Sequence, residues 1–493
     1  MAVREPARLY SAAQSRAVDR CAIEEHGLPG TVLMARAARA AFRELLLRWP
    51  QPGLLQVLCG PGNNGGDGLL LAALAQERGI ATRVYLVDGE PRSEDARHAA
   101  RRARVAGVEP AAFRAAALER RGLVVDAMLG TGIQGPPRPA YAEAISAVNA
   151  LALPVLAIDV PSGLDGDSGA VAGVAIAARC TVSFITAKRG LYTALGPEHA
   201  GERLLDDLDV PAAAFAAAGE AVELLDLARE RGALPERPPA AHKGRFGRCL
   251  LVGGDHGMGG AVLLAAEAAL RSGVGLLRVA TREAHIAPLL ARRPEAMARA
   301  VRGYNDLKPL LAWADAVIIG PGLGVGPWGE QLLLAVREAG LPTLYDADAL
   351  NLAAAQEGWR WPARSLVTPH PGEAARLLDC TAAAVQADRF AALQALIARG
   401  VDAAILKGNG SLVAGRGALA LCAAGNPGMA SGGMGDVLSG VGGALLAQGL
   451  EVEAAARLAC LVHALAADRA AQELGETALL ASDLAPRLAE LLP

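Results

Sequence analysis

Lysine is nearly missing from this 493-residue chain: it stands only at positions 188, 243, 308 and 407, and arginine carries the rest of the basic charge. With the abundance of alanine this reads as genomic bias, and it makes each lysine worth weighing. The seven cysteines, at 21, 59, 180, 249, 380, 422 and 460, form no CxxC pair and no cysteine–histidine cluster. That argues against a zinc centre or a disulfide framework and favours a reducing compartment. The opening MAVREPARLYSAAQ lacks an apolar signal region, and no apolar run reaches spanning length without interruption, so a cytoplasmic protein without a membrane partner is expected. The net charge of −3 comes with no basic stripe, so nucleic acid is not an expected partner. GxxxxGK[ST] is absent, which excludes a P-loop.

What is present is glycine, in loops. The run GNPGMASGGMGDVLSG, 425–440, feeds one carboxylate, Asp436, onto the first turn of an apolar helix. Unsatisfied N–H groups at a helix start bind phosphate, at the positive end of the helix dipole. A carboxylate there needs its own task, such as taking a proton from an attacking hydroxyl, and this points to phosphoryl transfer.

The length predicts two or three domains. Short apolar runs alternate with amphipathic stretches, the pattern of α/β units with parallel sheets. Strands are expected at 54–59, 83–87, 123–126, 155–159 and 181–186. After a break they resume at 249–252, 275–280, 316–319, 343–346, 365–367, 403–406, 411–414 and 418–422. Helices are expected within 11–47, at 67–78 and at 94–106. The proline-bearing stretch around Pro235, Pro238 and Pro239 predicts the boundary: a first domain over 1–228, a linker over 229–242 and a second domain over 243–493. The alanine run 212–218 is a weaker candidate for a flexible connection.

In the first half, a strand runs into GPGNNGGDG, in which Gly60, Gly62 and Gly65 satisfy GxGxxG, and Asp88 stands where a ribose-binding acid would. A dinucleotide site is a fair reading, but Gly130, Gly132 and Gly135 satisfy the pattern again, so it is weak alone. Asn63, Asn64 and Asp67 add polar groups to the first loop. Asp126 and Asp159 end two strands, and Ser162 follows the second. Ligands bind beyond the carboxyl ends of parallel strands, so these loops should share one crevice. Asn64, Asp126 and Ser162 offer hard oxygen ligands for an alkali or alkaline-earth cation.

NNGGDG, DAMLGTGIQGPPRP and IDVPSGLDGDSG resemble, in order and spacing, the NAD(P)H-hydrate epimerase family over roughly residues 8–220. The resemblance implies a Rossmann-like three-layer α/β/α domain that binds NADHX or NADPHX, the nicotinamide cofactor hydrated at C6. It assigns Asn63, Asn64, Gly65, Gly66, Asp67, Gly130, Thr131, Gly132, Ile133, Gln134, Gly135, Pro136 and Asp159 to that ligand. It assigns potassium (K+) to Asn64, Asp126 and Ser162. Interconversion of the R and S epimers needs a proton donor and acceptor, for which Asp159 and Lys188 are the candidates. TAKRG departs from the family, which more often has proline after the lysine, and Ala38 stands where the early helix often has glycine.

The second half resembles the ADP-dependent NAD(P)H-hydrate dehydratase family, a branch of the ribokinase-like α/β fold, over about 240–490. HKGRFGRCLLVGG, GMGGAVLLAAEAALRSGVGLL, GPGLG, DADALN, TPHPGE and GNPGMASGGMGDVLSG carry that likeness. It implies adenine nucleotide at Lys407, Gly408, Asn409, Gly410, Ser411 and Gly435, with Lys407 a point charge for phosphate. Hydrated nicotinamide nucleotide would lie at Ala261, Gly324, His370 and Asp436. Ser431 and Met434 replace threonines common in the glycine loop, without loss of backbone donors. Asp436 would deprotonate the C6 hydroxyl, which attacks the terminal phosphoryl group of ADP with Mg2+ assisting. Loss of phosphate then restores the double bond, leaving AMP. The alternative is a small-molecule kinase of the hydroxymethylpyrimidine type with a noncatalytic N-terminal nucleotide-binding module; GNNGGDG and VPSGLDGD upstream argue against it. A homo-oligomer is compatible with the sequence.

Overall fold

The structure, a computed structural model, describes residues 6–131 and 135–492. The chain divides into two compact units, residues 1–222 and 223–493.

The first unit is built on seven strands: β1 (Leu55–Cys59), β2 (Thr82–Leu86), β3 (Ala111–Ala112), β4 (Leu123–Ala127), β5 (Val155–Ile158), β6 (Cys180–Phe184) and β7 (Glu202–Asp206). They lie side by side in the order β3-β2-β1-β4-β5-β6-β7, all parallel. β1, β4 and β6 are buried at every residue, which is why they read as mainly apolar runs rather than as a strict alternation. Leu55 and Val57 pack with Leu69, Leu71, Ala99 and Ala41 from the helices Asn63–Glu77, Glu94–Val105 and Gly30–Arg48. Leu58 and Val124 point the other way, onto Tyr141, Ile145 and Val148 of the helix Pro139–Leu151. The result is a three-layer α/β/α sandwich whose strand order reverses between β1 and β4, the position where such sheets open a crevice. Gly60 lies there because a Cβ would run into the Met128 carbonyl.

The alanine run Ala212–Ala218 is a 3-10 helix with Ala214 fully buried. Gln14 donates to the carbonyls of Ala218 (3.0 Å) and Glu220 (2.6 Å). The expected flexible connection is therefore packed structure, and the division falls at 222/223. Glu223 and Leu224 pair with Ala420 and Leu421 of the second unit. The stretch expected as a linker begins inside the helix Leu227–Arg231, where Glu230 accepts from Arg457 at 2.9 Å.

The second unit carries β8 (Arg248–Val252), β9 (Leu276–Thr281), β10 (Met297–Ala300), β11 (Ala316–Ile319), β12 (Thr343–Tyr345), β13 (Ser365–Val367), β14 (Ala403–Leu406), β15 (Ser411–Ala414) and β16 (Ala420–Cys422). Their order is β10-β9-β8-β11-β12-β13-β14-β15-β16. They are parallel through β14, and β15 then pairs antiparallel with both neighbours. Here too the order reverses beside the first strand, between β8 and β11. One face, including Leu251, Ile318 and Leu366, is covered by the helices Gly259–Arg271, Met434–Ala447 and Val452–Leu474. Glycines let the middle helix in. A Cβ on Gly440 would strike the Ala265 carbonyl, and one on Gly443 would overlap the Ile318 side chain. That close approach fixes where the first turn of the helix, and Asp436 with it, comes to lie. No helix among the described residues is long and apolar enough to cross a membrane.

Candidate functional site

The first unit's crevice is a cavity of about 560 Å³ lined by Asn63, Asn64, Asp67, Gly130, Thr131, Asp159 and Lys188, among others. Gly65 and Gly66, between Asn64 and Asp67 in the chain, do not line it. A Cβ on Gly65 would strike the Gly60 carbonyl, and one on Gly66 would sit 2.7 Å from the Met34 sulfur. Gly135 and Pro136 are exposed and do not line it. Gly132, Ile133 and Gln134 fall outside the described residues. Asp88 does not line the cavity either. Its carboxylate is taken by Arg138 at 2.6 Å and the Tyr141 hydroxyl at 3.3 Å.

Lys188 is almost wholly buried, and its ammonium donates to Asp159 Oδ1 and to the Phe184 carbonyl (2.8 Å). Asp159 holds a left-handed backbone, φ 67°. Its N–H donates to the Val182 carbonyl at 2.8 Å, and its own carbonyl accepts from Ser183 Oγ at 2.7 Å. Asp67 faces the same space. Burial, then the charges of Asp159 and Asp19, hold its carboxyl well above the usual range, against the pull of Lys188. Ser15 and Asp19, from the helix Ala12–Glu24, also line the cavity. The sequence reading missed them because an acid on an amphipathic helix looks like part of a solvated face. Burial raises Asp19 too, opposed by Lys188 and reinforced by Asp159 and Asp95. The crevice thus gathers one ammonium and several carboxyls, two of them shifted upward by burial, a set that can give and take a proton.

Asn64, Asp126 and Ser162 do come together. Ser162 Oγ donates to Asp126 Oδ1 (2.6 Å) and its N–H to Oδ2 (2.7 Å), while the Leu129 N–H donates to Ser162 Oγ (2.9 Å). Asn64 Nδ2 donates to the Leu129 carbonyl at 2.9 Å. Asp126 is fully buried, and burial pushes its pKa up to about 6 although Ser162 and Met128 donate to it. The Asp126 carboxylate accepts from the Ser162 hydroxyl and from the N–H groups of Ser162 and Met128, with no cationic side chain bonded to it among the described residues, so its oxygens and Ser162 Oγ could serve a monovalent cation.

In the second unit, Asp436 sits in the first turn of Met434–Ala447, behind an N-cap, Gly433, at φ 91°. Burial, then the negative charge of Asp346, push its carboxyl up to about 7; Lys407 pulls it down and Asp348 adds to the rise. The organiser is Asp346, quoted within DADALN but given no task from sequence. It is 1% exposed and accepts from Lys407 Nζ (2.8 Å), Thr368 Oγ1 (2.9 Å) and Ser439 Oγ (2.7 Å). Its only sequence signal was an acid at a strand end. Lys407 also lies 3.7 Å from Glu373. Burial opposes its charge, but Asp346 and Glu373 raise its pKa nonetheless. Its ammonium is therefore cradled by acids. Gly435 adjoins this cradle: a Cβ there would sit 3.3 Å from Lys407 Nζ and 3.6 Å from Asp346 Oδ2.

Gly324, at φ 69°, donates its N–H to Asp348 Oδ2 at 2.9 Å. Ala261 borders the same glycine loop, 3.2 Å from where a Cβ on Gly322 would stand. His370 caps the helix Pro371–Leu378, its Nδ1 accepting from the N–H groups of Gly372 (3.0 Å) and Glu373 (3.4 Å). Its ring is half exposed, and burial is the main cause of its lowered pKa. Gly408 and Asn409 are exposed, whereas Gly410 is buried. Ser411 Oγ donates to the Gly408 carbonyl at 3.0 Å.

A Rossmann-type unit with an acid–lysine pair in its crevice, and a ribokinase-like unit with a near-neutral carboxyl on a glycine-rich helix start, define a two-site enzyme acting on nucleotides. Residues 249–489 match the NAD(P)H-hydrate dehydratase family, and residues 30–190 the family described as YjeF-related protein N-terminus. The chain is 45% identical to the bifunctional NAD(P)H-hydrate repair enzyme of Coxiella burnetii, over 98% of its own length and 99% of that protein. It is 42% identical to the Escherichia coli enzyme of the same description, over 97% of this chain and 93% of that one. A Bacillus subtilis crystal structure described as the ADP/ATP-dependent NAD(P)H-hydrate dehydratase with ATP and Mg2+ is similar over 55% of this chain and 97% of that one. Its identity is 31% and its TM-score 0.50. The chain belongs to the bifunctional NAD(P)H-hydrate repair enzymes, with epimerase and dehydratase activities in one polypeptide.

Proposed function

We propose that the two activities divide between the two crevices: Asp159 and Lys188 exchange the proton of epimerisation, and Asp436 begins dehydration. The observation that carries the second half is the carboxyl of Asp436, pushed up to about 7 at a glycine-rich helix start. A general base works best with a pKa near the working pH. Asp436 takes the proton from the C6 hydroxyl of S-NADHX or S-NADPHX as that oxygen attacks the terminal phosphoryl group of ADP. Backbone N–H groups of residues 432–435 hold the charge on that group. Phosphate leaves with the C6–O bond, the adjacent C5 gives up a proton to solvent, the C5–C6 double bond re-forms from that C–H pair, and AMP remains.

The Bacillus subtilis relative, crystallised with ATP and Mg2+, supports use of an adenine nucleotide and magnesium here. ADP as donor, and Lys407, Gly408, Asn409, Gly410, Ser411 and Gly435 as its binding residues, are part of this proposal. So are Ala261, Gly324 and His370 beside the hydrated ring. Magnesium would neutralise phosphoryl charge. In the first unit, Asp126, Ser162 and Asn64 would hold potassium, whose charge balances the buried carboxylate. Asn63, Asp67, Gly130 and Thr131 would line the bound nucleotide. Burial and the neighbouring acids raise the Asp67 carboxyl, which favours its neutral form beside a bound phosphate-bearing ligand. We extend the proposal to a cytoplasmic location.

Purified protein supplied with the separate epimers tests the division. S-NADHX with ADP and Mg2+ should regain the near-ultraviolet absorbance of the dihydronicotinamide ring, and R-NADHX should do so only through the epimerase. With Asp159→Asn the S epimer should still be repaired while R accumulates; R-to-S conversion surviving that change would refute the first assignment.

A further inference from the structure

Arg389 is the largest fully buried side chain among the described residues. It begins the helix Arg389–Ala398, whose N-cap Asp388 accepts from the Ala391 N–H. The guanidinium reaches back under the loop that follows β14. Nη2 donates to the carbonyls of Leu406 (3.2 Å), Lys407 (3.3 Å) and Gly410 (3.5 Å). Nη1 donates to the Lys407 carbonyl (3.3 Å) and to Gln386 Oε1 (2.8 Å). Gly408 passes over this group at φ 137°, and a Cβ there would sit 2.7 Å from Nη1. The loop 407–410 is thus wound around one planar cation, whose fork matches carbonyls pointing in from several directions. Desolvation lowers the pKa to about 10, so the group stays charged at neutral pH.

Burying an arginine this deeply is costly unless its donors are satisfied, and these bonds offset that cost. Here they hold three loop carbonyls on one side of the chain and set the direction in which Lys407 leaves it, toward Asp346. We infer that Arg389 is a positioning residue for the adenine-nucleotide loop: it touches no substrate and presets the loop that does. The inference rests on the reading that residues 407–411 bind the nucleotide. Lysine cannot replace it, because a single ammonium does not span carbonyls that the fork reaches with two nitrogens.

The test compares wild type, Arg389→Ala, Arg389→Lys and Asn409→Trp, each assayed for KM of ADP, kcat of dehydration, epimerase activity and the thermal transition. Loss of hydrogen bonds from a charged donor should raise the KM of ADP about 10- to 100-fold in both Arg389 variants, with a smaller change in kcat and epimerisation intact. Millimolar guanidinium chloride should restore ADP affinity to Arg389→Ala, whose vacated site fits the ion. It should not restore Arg389→Lys, where the lysine stem fills that space. Bulk at the exposed Asn409 tests the underlying reading. If Asn409→Trp leaves the KM of ADP unchanged, the loop is not the nucleotide site. If Asn409→Trp raises it but both Arg389 variants bind ADP normally, or guanidinium has no effect on a folded Arg389→Ala, the inference about Arg389 is wrong. Should Arg389→Ala lose its thermal transition, the KM of ADP in Arg389→Lys decides alone.

Discussion

Replacing Asp436 by asparagine should destroy one activity and strengthen the fold, and the second effect has a pH signature. The carboxyl is raised from the ordinary 3.8 to about 7, first by burial and then by Asp346. Between those values the folded chain holds a proton that the unfolded chain has released. Wild-type stability therefore falls as pH rises through that window, and the loss is complete above about 7. A shift of about three units corresponds to about 4 kcal/mol. Asparagine has the same shape and no charge to desolvate. The variant should be more stable than wild type by about 1.5 kcal/mol at pH 5 and about 4 kcal/mol at pH 8. For a unit of this size, about 2 °C per kcal/mol makes the latter a rise of about 8 °C in its melting temperature. Scanning calorimetry of both proteins at pH 5 and pH 8 reads this directly. Dehydration should meanwhile fall about 10²- to 10⁴-fold with the loss of the base, and epimerisation should continue. A stability difference that is flat with pH, or that favours wild type at pH 8, would refute the account of Asp436 as a carboxyl whose pKa its surroundings raise.

Three further outcomes follow from the geometry. Asp346→Asn removes the negative charge that raises Asp436 and leaves Lys407 facing it, so the acidic limb of the dehydratase pH–rate profile should move to lower pH; an upward move would contradict the assignment. Gly443→Ala drives a methyl into Ile318 and should cost about 1–3 kcal/mol of stability, measured by urea unfolding, with ADP binding weakened as the helix shifts. Ser162→Ala removes the hydroxyl that donates to buried Asp126; epimerisation should lose its dependence on potassium over tetramethylammonium, and an unchanged potassium response would exclude Ser162 as a ligand.

Much of the fold was legible because its strands are buried on both faces, so that runs such as LVVDA and CTVSF stand out from their surroundings. The glycine loops were legible for the opposite reason: backbone passes so close to backbone at Gly60 and Gly65 that no side chain fits. What escaped notice depends on partners far away in sequence. Asp346 gains its importance from Lys407 and Ser439, and Arg389 from carbonyls that strand β14 delivers. Asp88 stood in the register of a ribose acid, but Arg138 and Tyr141 engage it, and nothing near Asp88 in the sequence announces that. The alanine run at 212–218 misled because small residues without periodicity look flexible, whereas here their size lets the chain pack against Gln14 and its helix.

The left-handed backbone of Asp159 bears on how a mutational scan of this enzyme would read. Among residues with a side chain, only aspartate and asparagine adopt that conformation at little cost. Alanine, glutamate or valine at 159 would add backbone strain of about 1 kcal/mol or more to whatever chemistry they remove. Protein yield and epimerase activity would then fall together at most substitutions, and the position would be scored as structural. Asparagine alone keeps the backbone while neutralising the carboxylate, so a scan that omits it would mistake an acid–base group for a turn residue.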